Sequence, residues 1–362
     1  MIKFLHAADL HLDAPFSALR PELAAQRRRE QLEVLTALFD AAQAHGCDLV
    51  LLAGDLFDAE NAGAQTVEAL QRACALCRAK IFIAPGNHDC CRLGSSYRMG
   101  GWPGNVHIFR SRTIERVCLP ELSCTVFGAG FEASFEQALL EGFRAEDDGA
   151  QIMVLHGDAV QKDSSYNPIS RAQIESSNLT YLALGHIHQA SGLLHAGKTA
   201  YAWPGCAMGR GFDELGEKGA YLGEISDSGE VTLRFLPLGG RKYEILRVEA
   251  GSDPLAAIRK ALPAQTQNDI YRILLTGEAE EIDTQALERE LEGQFFGLSI
   301  RDETRPKKDL WQGAGENTLR GLYLTKLRAQ YDAAPDEQTR RAIAQAARLG
   351  LDAMENRLEV EV

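Results

Sequence analysis

Five stretches of this chain each set a metal-type ligand behind an apolar run: Asp9-Leu10-His11, Gly54-Asp55, Gly86-Asn87-His88-Asp89, His156-Gly157 and Gly185-His186-Ile187-His188. Asp, Asn and His together suit two adjacent hard-to-borderline divalent cations. A phosphodiester resists hydrolysis because its negative charge repels an incoming hydroxide. Two cations about 3.5–4 Å apart lower the pKa of a shared water, hold the phosphate oxygens and offset the charge of the transition state. One carboxylate must then bridge them, and Asp55, alone at a strand end beside Gly54, is the candidate. Asp9, His11 and His188 would complete one ligand shell, and Asn87, His156 and His186 the other. His186 and His188 alternate, so in an extended loop their rings would diverge toward different ions. His88 fills neither shell. A histidine aimed at such a site can give a proton or hydrogen bond to the leaving alkoxide, and Asp89 is placed in sequence to orient its ring.

The elements that would carry these residues alternate. Ile2–Ala8 reads as a strand, Glu30–His45 as a helix with Leu32, Leu35 and Phe39 on one face, and Asp48–Ala53 as a buried parallel strand. Ala64–Ala79 reads as a helix and Ile81–Ala84 as a strand. Strands are expected at Val106–Phe109, Cys124–Gly128, Gln151–Leu155, Tyr181–Leu184, Thr199–Ala202, Gly219–Ile225 and Val231–Leu236, with helices near Phe135–Arg144 and Ile169–Ser176. The later strands follow one another with little helix between, which implies a mixed sheet or two packed sheets. The ligand stretches fall just after strands, and loops at the carboxyl ends of parallel strands converge on one crevice.

Pro237-Leu238-Gly239-Gly240 reads as a linker. A β-α-β-α-β pattern follows, from Tyr243 to Arg301, and suggests a compact α+β unit. After Gly313–Gly315, two helices are expected at Asn317–Tyr331 and Asp336–Leu358, the second with Ile343, Ala347, Leu351, Met354 and Leu358 at helical spacing. The expected division is 1–240, 241–302 and 316–362.

The chain has 362 residues, 45% hydrophobic and 25% charged, ordinary for a folded protein. Its eight cysteines form no paired framework, which points to reduced thiols. Met1–His6 reads as the start of a strand with no signal peptide, and no apolar run is long enough for a membrane span, so a cytoplasmic location is expected. The net charge of −13 argues against nucleic acid as a partner. Bound cations would invert that sign locally, so the argument is weak at the site itself.

The pattern Asp-x-His, Gly-Asp-x-x-Asp, Gly-Asn-His-Asp, His-Gly, Gly-His-x-His resembles the calcineurin-like metallophosphoesterase superfamily. It is most similar there to the SbcD-type DNA repair exonucleases and their YhaO-like branch. This closer likeness is carried by His6–Phe16, Ala53–Asp58, Ala84–Asp89, Leu184–His188, and Pro204-Gly205 with Glu214-x-Gly216-Glu217-Lys218-Gly219. The resemblance implies a four-layer α/β/β/α sandwich, a smaller α+β capping domain and C-terminal helices. It implies two divalent cations, most often manganese, with iron, zinc or magnesium as alternatives. It also implies 3′-to-5′ exonuclease action on DNA ends or single strands by a metal-bound hydroxide, and an SbcC-like coiled-coil ATPase as partner. A homodimer is possible and no membrane association is expected. The metal ligands Asp9, His11, Asp55, Asn87, His156, His186 and His188 and the catalytic His88 match the family's positions. Where some members carry a second histidine three residues after the bridging Asp, this chain has Asp58.

Asp58 and Asp13 read as structural carboxylates that orient neighbours, and His6, His45, His107 and His195 as strand or surface histidines. Arg210 is either a phosphate contact or a solvated loop residue, and Arg27-Arg28-Arg29 a solvated helix face. The Ile343–Leu358 stripe points to packing on the chain's own core, with a partner-helix groove as the alternative. Two rival functions stand beside the nuclease: an esterase for nucleotides or other small phosphodiesters, and an ATPase-recruiting subunit with little activity.

Overall fold

Strands covered on both faces favour apolar residues at every position, and the strand Leu49-Val50-Leu51-Leu52 is apolar throughout. The computed structural model describes residues 1–17, 19–146, 148–306 and 309–354. In chain order the first elements are β1 (Ile2–Ala7), α1 (Pro21–Ala44), β2 (Leu49–Leu52), α2 (Ala64–Leu76), β3 (Lys80–Ile83), β4 (Val106–Ile108), β5 (Glu115–Leu119) and β6 (Cys124–Gly128). There follow β7 (Ala150–His156), α3 (Arg171–Ser176), β8 (Tyr181–Gly185), β9 (Leu194–Ala196), β10 (Thr199–Ala202), β11 (Gly219–Ile225) and β12 (Val231–Pro237). They build two six-stranded sheets, ordered β12-β11-β1-β2-β3-β4 and β5-β6-β7-β8-β10-β9. Every residue of β2, β6 and β8 is buried.

Three apolar clusters separate the layers. Phe4, Leu49, Leu51 and Phe82 of the first sheet meet Val126, Ile152, Val154 and Tyr181 of the second. Alternate residues on the outer side of the first sheet, Leu5, Val50, Leu52 and Ile81, pack with Val34, Leu35 and Leu38 of α1 and Val67 and Leu70 of α2. Met153, Leu155 and Leu182 pack with Ile174 of α3 on the far side of the second sheet. The result is the expected α/β/β/α sandwich, and period-2 alternation decides which layer each side chain enters.

Strands β1, β2 and β3 run parallel, as do β6, β7, β8 and β10. Their carboxyl ends therefore share one edge. Cross-sheet bonds tie that edge: the buried His6 ring bonds the Tyr181 hydroxyl at 2.8 Å and the Leu184 carbonyl at 3.0 Å.

The structure departs from expectation in places. Helix α1 begins at Pro21, nine residues before the expected start, with proline in the first turn where its missing N–H costs nothing. Arg27 is consequently buried, hydrogen-bonded to the Gly209 carbonyl and paired with Glu30, so the expected solvated arginine face is wrong at that position. No helix forms at Phe135–Arg144: the Leu139 N–H bonds Asn167 Oδ1, the Glu136 carbonyl accepts from Asn167 N, and Ala138 is left-handed at φ 62°. Long-range partners claim the backbone groups that a helix would pair internally. Strands β5 and β9 lie outside the expected set.

The remaining elements are β13 (Tyr243–Glu249), α4 (Pro254–Ala261), β14 (Ile270–Thr276), β15 (Glu278–Ala279), α5 (Thr284–Glu290), β16 (Gly297–Asp302), β17 (Arg305–Pro306), α6 (Leu319–Asp332) and α7 (Glu337–Met354). Strands β13, β14 and β16 form a sheet in that order. Asp253, Asp283 and Thr318 cap α4, α5 and α6 by accepting from backbone N–H groups. The chain gathers into two compact units, where the sequence suggested three divisions. One is Met1–Ile245 with Gln265–Arg272 and Phe295–Gly297; the other is Leu246–Ala264, Ile273–Gln294 and the chain from Leu298 onward. Within the second, α6 packs on α7, and the Tyr323 hydroxyl donates to the Ala346 carbonyl at 2.7 Å over Gly350. Of the α7 stripe, Ala347 is buried, Ile343 and Leu351 half-buried and Met354 exposed; Leu358 lies outside the described residues. Among the described residues no helix is long and apolar enough to cross a membrane.

Candidate functional site

Each expected ligand sits at the end of a parallel strand or in the first residues beyond it, and at four of them the backbone is strained. Asp9, His11, Asp55 and His186 have φ of 52°, 44°, 51° and 95°, the left-handed region. Such a conformation costs a non-glycine residue about 1–2 kcal/mol, and persists only where surroundings impose it. The His186–His188 loop is therefore not extended as expected. The two rings diverge because His186 is left-handed.

Two groups of ligand atoms result. In one, His11 Nε2 lies 3.3 Å from His188 Nε2, which is 3.8 Å from Asp9 Oδ1, while His11 Nε2 is 3.9 Å from Asp55 Oδ2. In the other, Asp55 Oδ2 is 3.4 Å from His156 Nε2; that nitrogen is 2.9 Å from Asn87 Oδ1, itself 3.2 Å from His186 Nδ1. Asp55 thus faces both groups. Its other oxygen accepts the His88 backbone N–H at 2.9 Å. The exposed His88 ring stands edge-on to His11, centroids 4.8 Å apart.

The far nitrogen of each imidazole faces a carbonyl or a carboxylate. His156 Nδ1–H donates to the Ala53 carbonyl at 2.9 Å, and His188 Nδ1–H to Glu214 at 2.7 Å. His11 Nδ1 lies 3.2 Å from Asp58, off the hydrogen-bond line, and His186 Nε2 lies 3.8 Å from Asp158. The His156 and His188 rings are thereby turned so that a lone pair faces inward, as metal-ligating histidines are.

Arg210 links two of these supports. It donates to Asp58 at 3.0 Å and to Glu214 at 2.8 Å, bracing the carboxylates behind His11 and His188 together. Asp58 thus pairs with Arg210, and Arg210 is not a free loop residue: its Nε, Nη1 and Nη2 all bond carboxylates. Glu214, Asp158 and Tyr97 carried no role in the sequence reading; the Glu214-x-Gly216-Glu217-Lys218 motif was the one signal, and Lys218 Nζ does bond the His188 carbonyl at 3.2 Å. Asp89 does not contact the His88 ring. Its buried carboxylate accepts from the N–H groups of Leu56, Phe57 and Gly86 and from the Tyr97 hydroxyl, which locks the Asp55 loop to the Asn87 loop. Next to His88 Nδ1, at 3.2 Å, is the Asp58 carbonyl.

Burial pushes the Asp9 carboxyl up, against the pull of His156 and His188. Burial acts likewise on Asp55, but His156, His11 and His88 outweigh it and hold that carboxyl below the usual range. Burial opposes charging of His156, yet Asp55 and Asp9 raise it to about 9. Burial and the neighbouring His156 lower His186 to about 4.

The donor set itself tests whether cations fit. Among the described residues no Lys or Arg pairs with Asp9 or Asp55, though both are buried. Lone-pair atoms of His11 and His188, and of Asn87 and His156, face one another at 2.9–3.3 Å. Ligands each about 2.0–2.2 Å from a shared ion sit at such spacings. Carboxylate, imidazole and amide oxygen together suit divalent ions. Gly86 completes the cradle: a Cβ there would collide with Asp55 Oδ1 and its backbone N.

Residues 2–190 match the calcineurin-like phosphoesterase family. The uncharacterized metallophosphoesterase YhaO of Bacillus subtilis (strain 168) is 28% identical over 338 residues, 86% of this chain and 80% of that protein. Among solved structures, TT1561 of Thermus thermophilus aligns over 65% of this chain and 98% of its own, at 15% identity and a TM-score of 0.41. GAP50, the anchor in the inner membrane complex of Plasmodium, aligns over 72% of this chain and 95% of its own, at 12% identity and a TM-score of 0.38. With the family match spanning more than half of its length, the chain belongs to the calcineurin-like phosphoesterases.

Proposed function

We propose that this phosphoesterase is a two-cation phosphodiesterase that hydrolyses DNA, trimming ends in the 3′-to-5′ direction. The convergence of seven ligand-type side chains on two groups that share Asp55 carries this reading. Asp9, His11, His188 and Asp55 would hold one divalent ion, manganese by preference, and Asp55, Asn87, His156 and His186 the other. Bound there, such ions supply charge neutralisation and activation of water. The chain's own groups do the rest. Ala53 and Glu214 fix the His156 and His188 imidazoles, and Asp89 fixes the two loops. The exposed His88 ring, beside His11, is free to give a proton or hydrogen bond to the leaving oxygen.

An SbcC-like coiled-coil ATPase is the proposed partner, and Leu319 and Leu322 on α6 and Leu349 and Met354 on α7 are exposed apolar groups of the kind a partner helix covers. The test of activity uses single-stranded and duplex DNA labelled at either end, with manganese. Release of nucleotides from 3′ ends, lost on chelation and reduced about 100-fold or more in His88→Ala, is the expected result. Hydrolysis of small diesters with no cleavage of DNA would replace the nuclease with the esterase reading.

A further inference from the structure

Outside the ligand groups, an aromatic ladder climbs from the site to the surface. The Tyr166 ring lies against His186, centroids 5.0 Å apart, and Phe135 stacks on Tyr166 at 5.6 Å with their planes 26° apart. Phe135 is 63% exposed. A lone exposed Phe needs no explanation. This one is held out on a rigid mount. Asn167, fully buried and left-handed at φ 50°, accepts the Leu139 N–H at 3.0 Å and donates to the His156 carbonyl at 2.9 Å. The loops bearing Phe135 and Tyr166 are thereby pinned to each other and to a ligand's own backbone.

Charges of both signs lie around the ladder, and two arginines among them reach the loop that bears Phe135. Arg92 reaches Ser134, and Arg112 reaches the Gln137 carbonyl, so exposed guanidiniums flank Phe135 on both sides in sequence. Each already has a carboxylate partner, Glu60 for Arg92 and Glu136 for Arg112, which leaves their remaining N–H groups for phosphate.

We propose that the outer face of Phe135, backed by Tyr166, is a stacking platform for an unpaired nucleobase of the substrate strand. The base belongs to a nucleotide one or two positions from the phosphate held at the ligand groups. Two ring spacings, 5.0 and 5.6 Å, separate Phe135 from His186, a distance that neighbouring nucleotides of one strand can span. A flat ring accepts any base on its π face, so the platform selects single strands over duplex without reading sequence. This proposal rests on a nucleic-acid substrate at the same site, and its test separates the two ideas.

In a His88→Ala background with manganese, fluorescence anisotropy measures binding of a labelled thymidine decamer and of an abasic decamer of equal charge. Adding Phe135→Ala should weaken the thymidine decamer about 5- to 100-fold and leave the abasic one unchanged. Phe135→Trp should restore binding. Melting temperature and manganese affinity, measured by calorimetry, should stay at the parent's values, since Phe135 is exposed and is not a ligand. Equal weakening of both oligomers, no weakening of either, or no binding at all overturns the platform. If the wild-type protein cleaves no DNA while Phe135 still discriminates between the decamers, the nuclease reading falls and the platform stands.

Discussion

Glu214 should control one cation and not the other. Its carboxylate, 3% exposed, receives His188 Nδ1 at 2.7 Å and, from Arg210, the backbone N–H at 2.6 Å and Nη2 at 2.8 Å. Glu214→Ala removes the acceptor that turns His188 inward and releases Arg210 from its bracing position. Loss of such a support costs about 10- to 100-fold in metal affinity, or about 1.4–2.8 kcal/mol. The loss should fall mainly on the ion that His188 shares with Asp9 and His11, because among the described residues Glu214 bonds His188 and makes no hydrogen bond or ion pair with Asn87, His156 or His186. Calorimetric titration of metal-free protein with manganese resolves the two sites. The expected isotherm keeps one affinity and weakens the other, and Glu214→Gln, which still offers an oxygen to His188, should lie between wild type and Ala. Equal weakening at both sites, or an unaltered isotherm alongside a weakened one for His188→Ala, would refute the reasoning.

Gly86→Ala drives a Cβ into Asp55 Oδ1 and its backbone N. It should cost about 1–3 kcal/mol in thermal stability and weaken both cations, since Asp55 faces both groups; wild-type affinity in a titration would sink this. His6 gives a pH signature remote from the ligands. Burial lowers it from 6.5 to about 3, so the folded protein keeps it neutral while the unfolded chain protonates. Its contribution is fully present above pH 6.5 and drains away as pH falls toward 3, about 2 kcal/mol by pH 5. Melts in chelator should show wild type losing more stability than His6→Gln between pH 8 and 5, and parallel curves would contradict the assignment.

The ligand set was legible because chemistry and folding wrote it in the same places. Buried parallel strands demand apolar runs, and the residue just past each run lies in the shared crevice. Asp, Asn and His at those points, Asp9, Asp55, Asn87, His156 and His186 among them, stand out against their surroundings. Asp89 shows the limit of adjacency: it neighbours His88 in sequence yet turns away to serve Leu56, Phe57, Gly86 and Tyr97.

Residue type and periodicity alone determined the layered α/β class and the side chains that could bind metal, since both follow from local rules of burial and ligand chemistry. Tertiary structure decided what supports them. Arg210 joins Asp58 from 152 residues away, Arg27 is buried by a helix that starts early, and Asn167 dissolves a local helix by taking its backbone groups. Those outcomes depend on which distant atoms arrive at a given place, and a one-dimensional pattern carries no record of that.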